Sequence, residues 1–444
     1  MRKTNTKEGK HNCPNLHFIS VGSIILLSAG NMRGVKMDIN AVKSKLEKYG
    51  QTHLLKYYDE LSESERKELL TQIEETDFSV VELCADGGKS VKKGRITPLS
   101  VMQLSEIEEN REAYYNTGSS AIKAGKVGAV LLAGGMGTRL GSDAPKGMYN
   151  IGETRDVYIF QRIVRNLMDA VDITGSWIHL FIMTSDKNHE ATVEFFEEKN
   201  FFGYNRDYIT FFKQEMAPAA DYNGKIYMES KSRMSTSPNG NGGWFISMER
   251  SGALKKAKAS GIEWLNVFAV DNVLQRIADP VFVGAVIKKG CAAGSKVVKK
   301  AKPDENVGVM CLEDGKPSIV EYYELTEELM NAKDENGEPA YNYGVILNYL
   351  FNVRELEEIM EKSMPLHIVE KKIPYIDEKG VLIKPESPNG YKFENLVLDM
   401  IHLMKSCLPF EVIREKEFAP IKNKTGIDSV DTARELLKKN GVEL

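Results

Sequence analysis

Short apolar runs alternate with longer amphipathic stretches from residue 127 onward. The apolar runs are 127–133, 178–183, 208–212 and 264–270. Each has the length and composition typical of a buried strand, and helix-like patterns at 157–171 and 188–199 lie between them. This alternation predicts an α/β fold, with a mixed, mostly parallel sheet covered by helices on both faces.

The flanking parts of the chain have other patterns. Residues 39–77 repeat leucines at helical spacing, and Ser62-Glu-Ser-Glu resembles a helix start. The last part mixes strand and helix patterns and ends in a helix at 431–439. We therefore expect an N-terminal helical segment (37–104), a catalytic domain (105–375) and a smaller C-terminal α/β segment (376–444).

Residues 1–36 look like an attachment to this protein. Basic residues precede an apolar run at 18–29, which resembles a secretory signal with a poor cleavage site at Ser28-Ala29-Gly30. We interpret the segment as a leader or extension without ordered structure, upstream of a start at Met32 or Met37, and expect a cytoplasmic protein. No run reaches the roughly 18 apolar residues that a membrane-spanning helix needs.

Charge and cysteine content exclude several classes of function. The 444 residues contain 59 Lys and Arg against 63 Asp and Glu, a net charge of -4. A nucleic-acid-binding protein would need a basic footprint, so we expect no nucleic-acid partner. The 5 cysteines are scattered without a CxxC pair, so a thiolate metal site or a disulfide framework is not expected.

A glycine-rich loop follows the first apolar run, reading Leu132-Ala-Gly-Gly-Met-Gly-Thr-Arg-Leu-Gly141, and Pro145-Lys146-Gly147 comes next. Glycines leave backbone N–H groups free to face an anion, and Arg139 and Lys146 add cations. A dinucleotide loop would need glycine where Leu140 stands, and a Walker loop would need Ser or Thr after a Gly-Lys pair. A plain turn would not need the two cations, so the loop predicts a polyphosphate site.

A second glycine pair, Gly87-Gly88-Lys89-Ser90, resembles a phosphate loop only briefly. The first glycine that such a loop requires is Leu83 here. We interpret this segment as a turn.

The loop and the segments after it resemble the UDP-sugar pyrophosphorylases, which are UTP–hexose-1-phosphate uridylyltransferases. The resemblance continues in order over about residues 40 to 440 and is closest to the UDP-N-acetylglucosamine pyrophosphorylase branch. Matching segments include Ser237-Pro-Asn-Gly-Asn-Gly-Gly-Trp244, Pro388-Asn-Gly-Tyr-Lys392 and Glu417-Phe-Ala-Pro-Ile-Lys-Asn423. The resemblance implies a Rossmann-like nucleotide-diphospho-sugar transferase fold, with UTP and a hexose-1-phosphate as substrates and Mg²⁺ as cofactor.

The resemblance also implies a set of charged catalytic residues. Arg139 would bind the β- and γ-phosphates, Lys146 would stabilise the leaving group, and Lys422 would reach in from the C-terminal segment. Asp271 follows an apolar strand, at the sheet edge where open α/β folds bind ligands, and would bind the metal beside the nucleotide. These types suit a reaction between two polyanions, which needs positioning and charge neutralisation rather than a nucleophilic side chain.

The remaining candidates follow from the same resemblance. The nucleotide would contact Leu132, Ala133, Gly134, Gly135, Gln214 and Gly240. A glutamine amide donates and accepts hydrogen bonds at once, which suits the imide edge of uracil. The sugar and its phosphate would contact Asn241, Glu321 and Lys392.

One position departs from the pattern of the family. The family's Asn-x-Gly-Asn-Ile appears here as Asn342-Tyr-Gly-Val-Ile346, so Val345 replaces an asparagine that would touch the sugar. Valine cannot hydrogen-bond a hydroxyl. N-acetylglucosamine-1-phosphate remains the expected substrate, with glucose-1-phosphate or several hexose phosphates as alternatives. A non-catalytic UDP-sugar-binding homologue is a further alternative, against which the complete catalytic set argues. The sequence pattern predicts no particular oligomeric state.

Overall fold

The computed structural model describes residues 39–86, 93–360 and 364–444. The interpreted leader (1–36) and the turn at Gly87-Gly88-Lys89-Ser90 therefore lie outside the described residues. The α-helices are α1 Ile39–Lys48, α2 Glu63–Glu75, α3 Leu104–Glu109, α4 Arg111–Lys123, α5 Ile159–Thr174, α6 His189–Glu198, α7 Trp244–Arg250, α8 Ala253–Ala259, α9 Pro280–Lys288, α10 Glu327–Asn331, α11 Val353–Met360, α12 Val397–Leu403, α13 Arg414–Glu417 and α14 Val430–Lys439. No described helix has the length and apolar character needed to cross a membrane.

The strands are β1 Ile96–Thr97, β2 Val127–Leu132, β3 His179–Thr184, β4 Ile209–Lys213, β5 Met216–Asp221, β6 Met228–Ser230, β7 Arg233–Met234, β8 Thr236–Pro238, β9 Trp264–Ala269, β10 Ala293–Lys299, β11 Val309–Glu313, β12 Lys316–Val320, β13 Tyr343–Asn352, β14 His367–Lys371, β15 Tyr375–Ile376, β16 Leu382–Ile383, β17 Gly390–Glu394 and β18 Cys407–Glu411. The four predicted strands appear as β2, β3, β4 and β9, and the three predicted helices as α5, α6 and α14.

The main sheet has ten strands, in the order β1-β11-β13-β9-β2-β3-β4. In addition, β10 pairs with β13 and β18, and β12 pairs with β11. The pairs β9–β2, β2–β3, β3–β4 and β10–β18 are parallel, and β13 runs antiparallel to β9. The predicted α/β class with a mixed sheet is confirmed.

Strand β2 shows why its sequence is apolar without interruption. Ala129 and Leu131 face a core shared with α5, α9 and α14, whereas Val130 and Leu132 face a core shared with α7, α8 and α12. A parallel strand covered on both faces cannot alternate polar and apolar residues. The carboxyl ends of β2, β9, β3 and β4 consequently meet at one edge of the sheet.

The N-terminal segment packs on a second, four-stranded sheet, in the order β14-β17-β5-β8. Ser62 begins α2 with a capping box, as predicted. The Gln51 amide donates to the Gly224 carbonyl at 2.9 Å and accepts from the Ile226 N–H at 3.0 Å. His53 Nε2 contacts the Ile226 carbonyl at 2.7 Å. These bonds attach the N-terminal helices to the turn after β5.

The C-terminal residues enter both sheets. Strand β17 pairs with β5 in the second sheet, and β18 pairs with β10 in the main sheet. Strand β1, which precedes residue 104, pairs with β11 in the main sheet. Strand pairs therefore link residues on both sides of the boundaries expected at 104 and 375, and that division of the chain stays a prediction.

A buried ion pair connects β10 to this C-terminal part. Lys296 on β10 is fully buried, and its ammonium donates to Glu417 Oε2 at 2.6 Å and to the Arg276 carbonyl at 3.0 Å. Asp279 Oδ2 lies 3.7 Å from the same ammonium. A buried lysine needs such partners, because an unpaired charge in the core is strongly destabilising.

Candidate functional site

The glycine loop follows the carboxyl end of β2, and the side chain of one asparagine hydrogen-bonds to its backbone. Asn188 is fully buried, and its Nδ2 donates to the carbonyls of Ala133 at 2.9 Å and Gly135 at 3.3 Å. The Asn188 Oδ1 accepts from the Ser185 N–H at 2.7 Å. Within the described residues, the N–H groups of Gly134 and Gly135 donate to no protein acceptor. The loop thus has its carbonyls fixed and two donors free for a ligand.

The predicted nucleotide contacts of Leu132 and Ala133 can come only from their backbone. Both side chains are buried in the core, at 7% and 2% exposure. The Ala133 N–H donates to the Met183 carbonyl at 2.8 Å, which continues the β2–β3 pairing by one residue. The loop therefore starts from a rigid strand end.

Gln214 lies directly against the glycine loop. It follows β4, is 7% exposed, and its backbone N–H donates to the Thr184 carbonyl at 2.8 Å. A Cβ added to Gly134 would lie 2.6 Å from Gln214 Nε2 and 2.8 Å from Oε1. Only glycine at position 134 lets this amide approach so closely, which brings two predicted nucleotide contacts together.

A second glycine loop, which follows β8, carries two more predicted residues. Gly240 has φ +84 and ψ 172, and a Cβ there would lie 2.2 Å from the Asn395 carbonyl oxygen. Asn241 Oδ1 accepts from the Val397 N–H at 2.9 Å, at the first turn of α12. The side-chain oxygen of Asn241 therefore caps the start of α12, and its side-chain NH₂ group is left for the predicted sugar contact.

The predicted catalytic groups converge where β2 and β9 end. Lys146 Nζ lies 3.8 Å from Asp271 Oδ2, and both side chains are partly buried, with exposures of 17% and 26%. Burial lowers the pKa of Lys146, Asp271 opposes this shift, and the charges of Arg139 and Lys422 lower the pKa further. Arg139 and Lys422 thus both repel the Lys146 ammonium, and a bound polyphosphate would offset this repulsion.

Lys422 reaches this group because its segment is attached to the residues after β9. The Ile421 N–H donates to the Asp271 carbonyl at 2.9 Å, and Asn272 pairs with Pro420. Asn272 Oδ1 also accepts from the Ala419 N–H at 2.9 Å. These bonds join the backbones of Asp271 and Lys422, although about 150 residues separate them in the sequence.

The predicted sugar residues Glu321 and Val345 lie together beside β11. A Cβ added to Gly308 would be 3.5 Å from Val345 Cγ2 and 3.6 Å from Glu321 Cδ. Burial and Glu324 raise the pKa of Glu321, whereas Lys93, Lys422 and His367 lower it. Val345 also packs partly against the core that contains Met310 and Tyr349. At this position the predicted sugar site therefore has an apolar side chain.

Lys392 stands on β17, in the second sheet, opposite Ala219 of β5. Burial lowers its pKa, and the charges of Lys187 and Lys371 act in the same direction. Lys187 immediately precedes Asn188, so Lys392 is close enough to feel a charge next to the residue that binds the glycine loop. Sequence reasoning missed Asn188, because a polar residue before α6 looked like an ordinary helix start.

The carboxylate at the end of β9 is compatible with a bound Mg²⁺. Among the described residues, no group of three or more His, Cys, Asp and Glu side chains is arranged to hold a metal. Mg²⁺ bound with nucleotides typically uses one or two carboxylates together with phosphate oxygens and water. Asp271, partly exposed and next to the phosphate-facing cations, fits such a site.

Comparison with known proteins gives consistent matches. The sequence profile of the UTP–glucose-1-phosphate uridylyltransferase family matches residues 77–435. UDP-N-acetylhexosamine pyrophosphorylase-like protein 1 of Homo sapiens is 36% identical over 421 residues, covering 89% of this chain and 83% of the relative. UDP-N-acetylglucosamine pyrophosphorylase of Saccharomyces cerevisiae is 36% identical over 418 residues, covering 87% and 86%.

A solved structure shows the same similarity in three dimensions. The uridine diphosphate N-acetylglucosamine pyrophosphorylase from Trypanosoma brucei, in complex with an inhibitor, superposes with a TM-score of 0.76. It is 28% identical, and the match covers 91% of this chain and 85% of that one. Sequence and fold thus point to the same group of proteins.

Proposed function

The chain belongs to the UTP–glucose-1-phosphate uridylyltransferase family, whose members are nucleotidyltransferases, and from this we propose its reaction. It transfers the uridylyl group of UTP to a hexose-1-phosphate, and N-acetylglucosamine-1-phosphate is the substrate we favour. The products are UDP-N-acetylglucosamine and pyrophosphate.

The observation that carries this proposal is the convergence of Arg139, Lys146, Lys422 and Asp271 beside a loop with free N–H groups. An oxygen of the sugar phosphate attacks the α-phosphorus of UTP, and the bond to the bridging oxygen of pyrophosphate breaks. Both reactants are anions, so the protein's task is to align them and offset their charge.

Each cation has a place in this step. Arg139 is exposed on the turn after the glycine loop and can fork onto the terminal phosphates. Lys146, which is more deeply buried, is placed to stabilise charge on the departing pyrophosphate. Lys422 is brought to the site by the C-terminal segment that pairs with Asp271 and Asn272. Mg²⁺ held by Asp271 would neutralise further phosphate charge when bound.

The choice of sugar is supported by the relatives of this chain. Relatives at about 36% identity over most of the chain are named for UDP-N-acetylglucosamine or UDP-N-acetylhexosamine. The second candidate is glucose-1-phosphate, which is favoured by Val345, because valine removes one polar contact from the sugar side. We also propose that the protein acts in the cytoplasm, where UTP is available.

A pyrophosphate-release assay tests the reaction. Purified protein, UTP and Mg²⁺ are incubated with N-acetylglucosamine-1-phosphate, glucose-1-phosphate and other hexose-1-phosphates in turn. We expect the highest kcat/KM with N-acetylglucosamine-1-phosphate. A higher value with glucose-1-phosphate would select the second candidate, and no release with any sugar would favour a non-catalytic UDP-sugar-binding protein.

A further inference from the structure

The segment after Lys422 folds back on itself in a tight loop. The N–H groups of Lys422 and Asn423 both donate to the Asp428 carbonyl, at 2.6 and 3.0 Å, and the Val430 N–H donates to the Asn423 carbonyl at 3.1 Å. Asp428 has φ +51, in the left-handed region that Asp and Asn tolerate best among residues other than glycine. This backbone conformation turns the Asp428 side chain back toward Lys422.

The Asp428 carboxylate meets the Lys422 ammonium. Lys422 Nζ lies 3.0 Å from Asp428 Oδ2, with the two side chains 38% and 28% exposed. Within the described residues, this ammonium is the only hydrogen-bond or ion-pair partner of the carboxylate. The loop itself is closed by the backbone carbonyl of Asp428, which almost any residue could supply. Closing the loop therefore does not account for the carboxylate.

An ion pair of this kind can coexist with bound phosphate. An ammonium has three N–H donors, of which Asp428 takes one and leaves two for phosphate oxygens. A lysine side chain has four flexible bonds and loses much rotamer freedom when it binds. A carboxylate that holds the ammonium before the substrate arrives lowers this cost.

We propose that Asp428 is a positioning residue for Lys422, which it holds toward the reacting phosphates. The inference rests on the proposed function for the role of Lys422 in catalysis. It assigns to Asp428 an effect that passes through Lys422 and through no other group.

The test is a double-mutant cycle of Asp428→Asn and Lys422→Met. Asparagine tolerates the same backbone conformation and removes only the charge. Alone, Asp428→Asn should lower kcat/KM about five- to tenfold, mainly through kcat, because a charge-assisted hydrogen bond becomes a neutral one. In the Lys422→Met background it should change kcat/KM by less than about twofold. Asp428→Gly, which also accepts the positive φ, should give a larger loss that also disappears in that background.

Asp431→Asn is the matched control, since Asp431 lies three residues further on and its side chain is 60% exposed. It should leave kcat/KM unchanged in both backgrounds. If Asp428→Asn caused an equal loss with and without Lys422, its role would be structural only, and the inference would be overturned. Absence of any loss in the native background would overturn it as well.

Calorimetric titration with inorganic pyrophosphate separates this inference from the proposed function. Asp428→Asn should weaken pyrophosphate binding severalfold in the native background and leave it unchanged beside Lys422→Met. This coupling in a protein that is inactive with every sugar would remove the proposed function and keep the positioning role. An active enzyme with no coupling in either measurement would keep the proposed function and remove the positioning role.

Discussion

Replacing Gly134 with alanine should damage recognition of the uracil base and spare the rest of the site. The new Cβ would lie 2.6 Å from Gln214 Nε2, whereas ordinary contact begins near 3.4 Å. The amide must therefore move by roughly 0.8 Å, which stretches a hydrogen bond of about 2.9 Å beyond the useful range. Two lost hydrogen bonds at about 0.5–1.5 kcal/mol each amount to roughly 1–3 kcal/mol, or about a 5- to 150-fold rise in the KM for UTP.

The assay compares both substrates of the reverse reaction. In Gly134→Ala, the KM for the UDP-sugar should rise, and the KM for pyrophosphate should stay the same because Arg139 and Lys146 are untouched. Thermal unfolding should change little, since only the end of a flexible side chain moves. If Gln214→Ala raises the KM for the UDP-sugar and Gly134→Ala leaves it within twofold, the reasoning about this contact is wrong.

Four further predictions concern other parts of the molecule. Arg139→Ala and Lys146→Ala should each lower kcat/KM about 100-fold, roughly 2.7 kcal/mol, and a loss under threefold would remove the assigned role. Val345→Asn should change the kcat/KM ratio between N-acetylglucosamine-1-phosphate and glucose-1-phosphate by a few-fold to about tenfold, while an equal loss for every sugar would identify a packing residue. EDTA should abolish activity, and Asp271→Asn should raise the Mg²⁺ concentration that gives half-maximal rate; an unchanged Mg²⁺ dependence would place the metal elsewhere. Burial lowers the pKa of His53 from 6.5, so protection of α1 and α2 from limited proteolysis should weaken as the pH falls below that value, and a flat profile would contradict this.

The sequence predicted the parts of this fold that repeat a simple pattern. Strand β2 is apolar throughout, and β9 is apolar except for Asn266, because helices cover both faces of the sheet. A nearly continuous apolar run indicates that environment. Ser62 caps the start of helix α2, because its side chain and that of Glu65, three residues later, satisfy two terminal N–H groups. Signals of this kind lie within a few consecutive residues, so they can be recognised in the sequence alone.

The unpredicted features depend on contacts between distant segments. Asn188 supports the glycine loop from a position 53 residues beyond Gly135, and nothing in its neighbours distinguishes it from a helix cap. Likewise, the lysine in Ala-Pro-Ile-Lys was assigned by resemblance, whereas its partner Asp428 becomes visible only when the loop is seen closed. Pairings of this kind are set by tertiary structure, which periodicity does not record.

The late position of β18 in the chain has a consequence for biosynthesis. While residues 1–400 emerge from the ribosome, every nucleotide-binding loop before the last lysine has been made, yet one edge of β10 still lacks its neighbour. Lys296 on that strand also lacks Glu417, which neutralises it in the finished protein. A nascent chain of this length therefore exposes an unpaired strand edge, and its Lys296 has Asp279 at 3.7 Å but lacks the closer Glu417. Both conditions favour aggregation or chaperone binding. Synthesis of the last 40 or so residues closes this edge, supplies Glu417 to Lys296 and adds Lys422, so the same stretch of chain completes the main sheet and the proposed catalytic set.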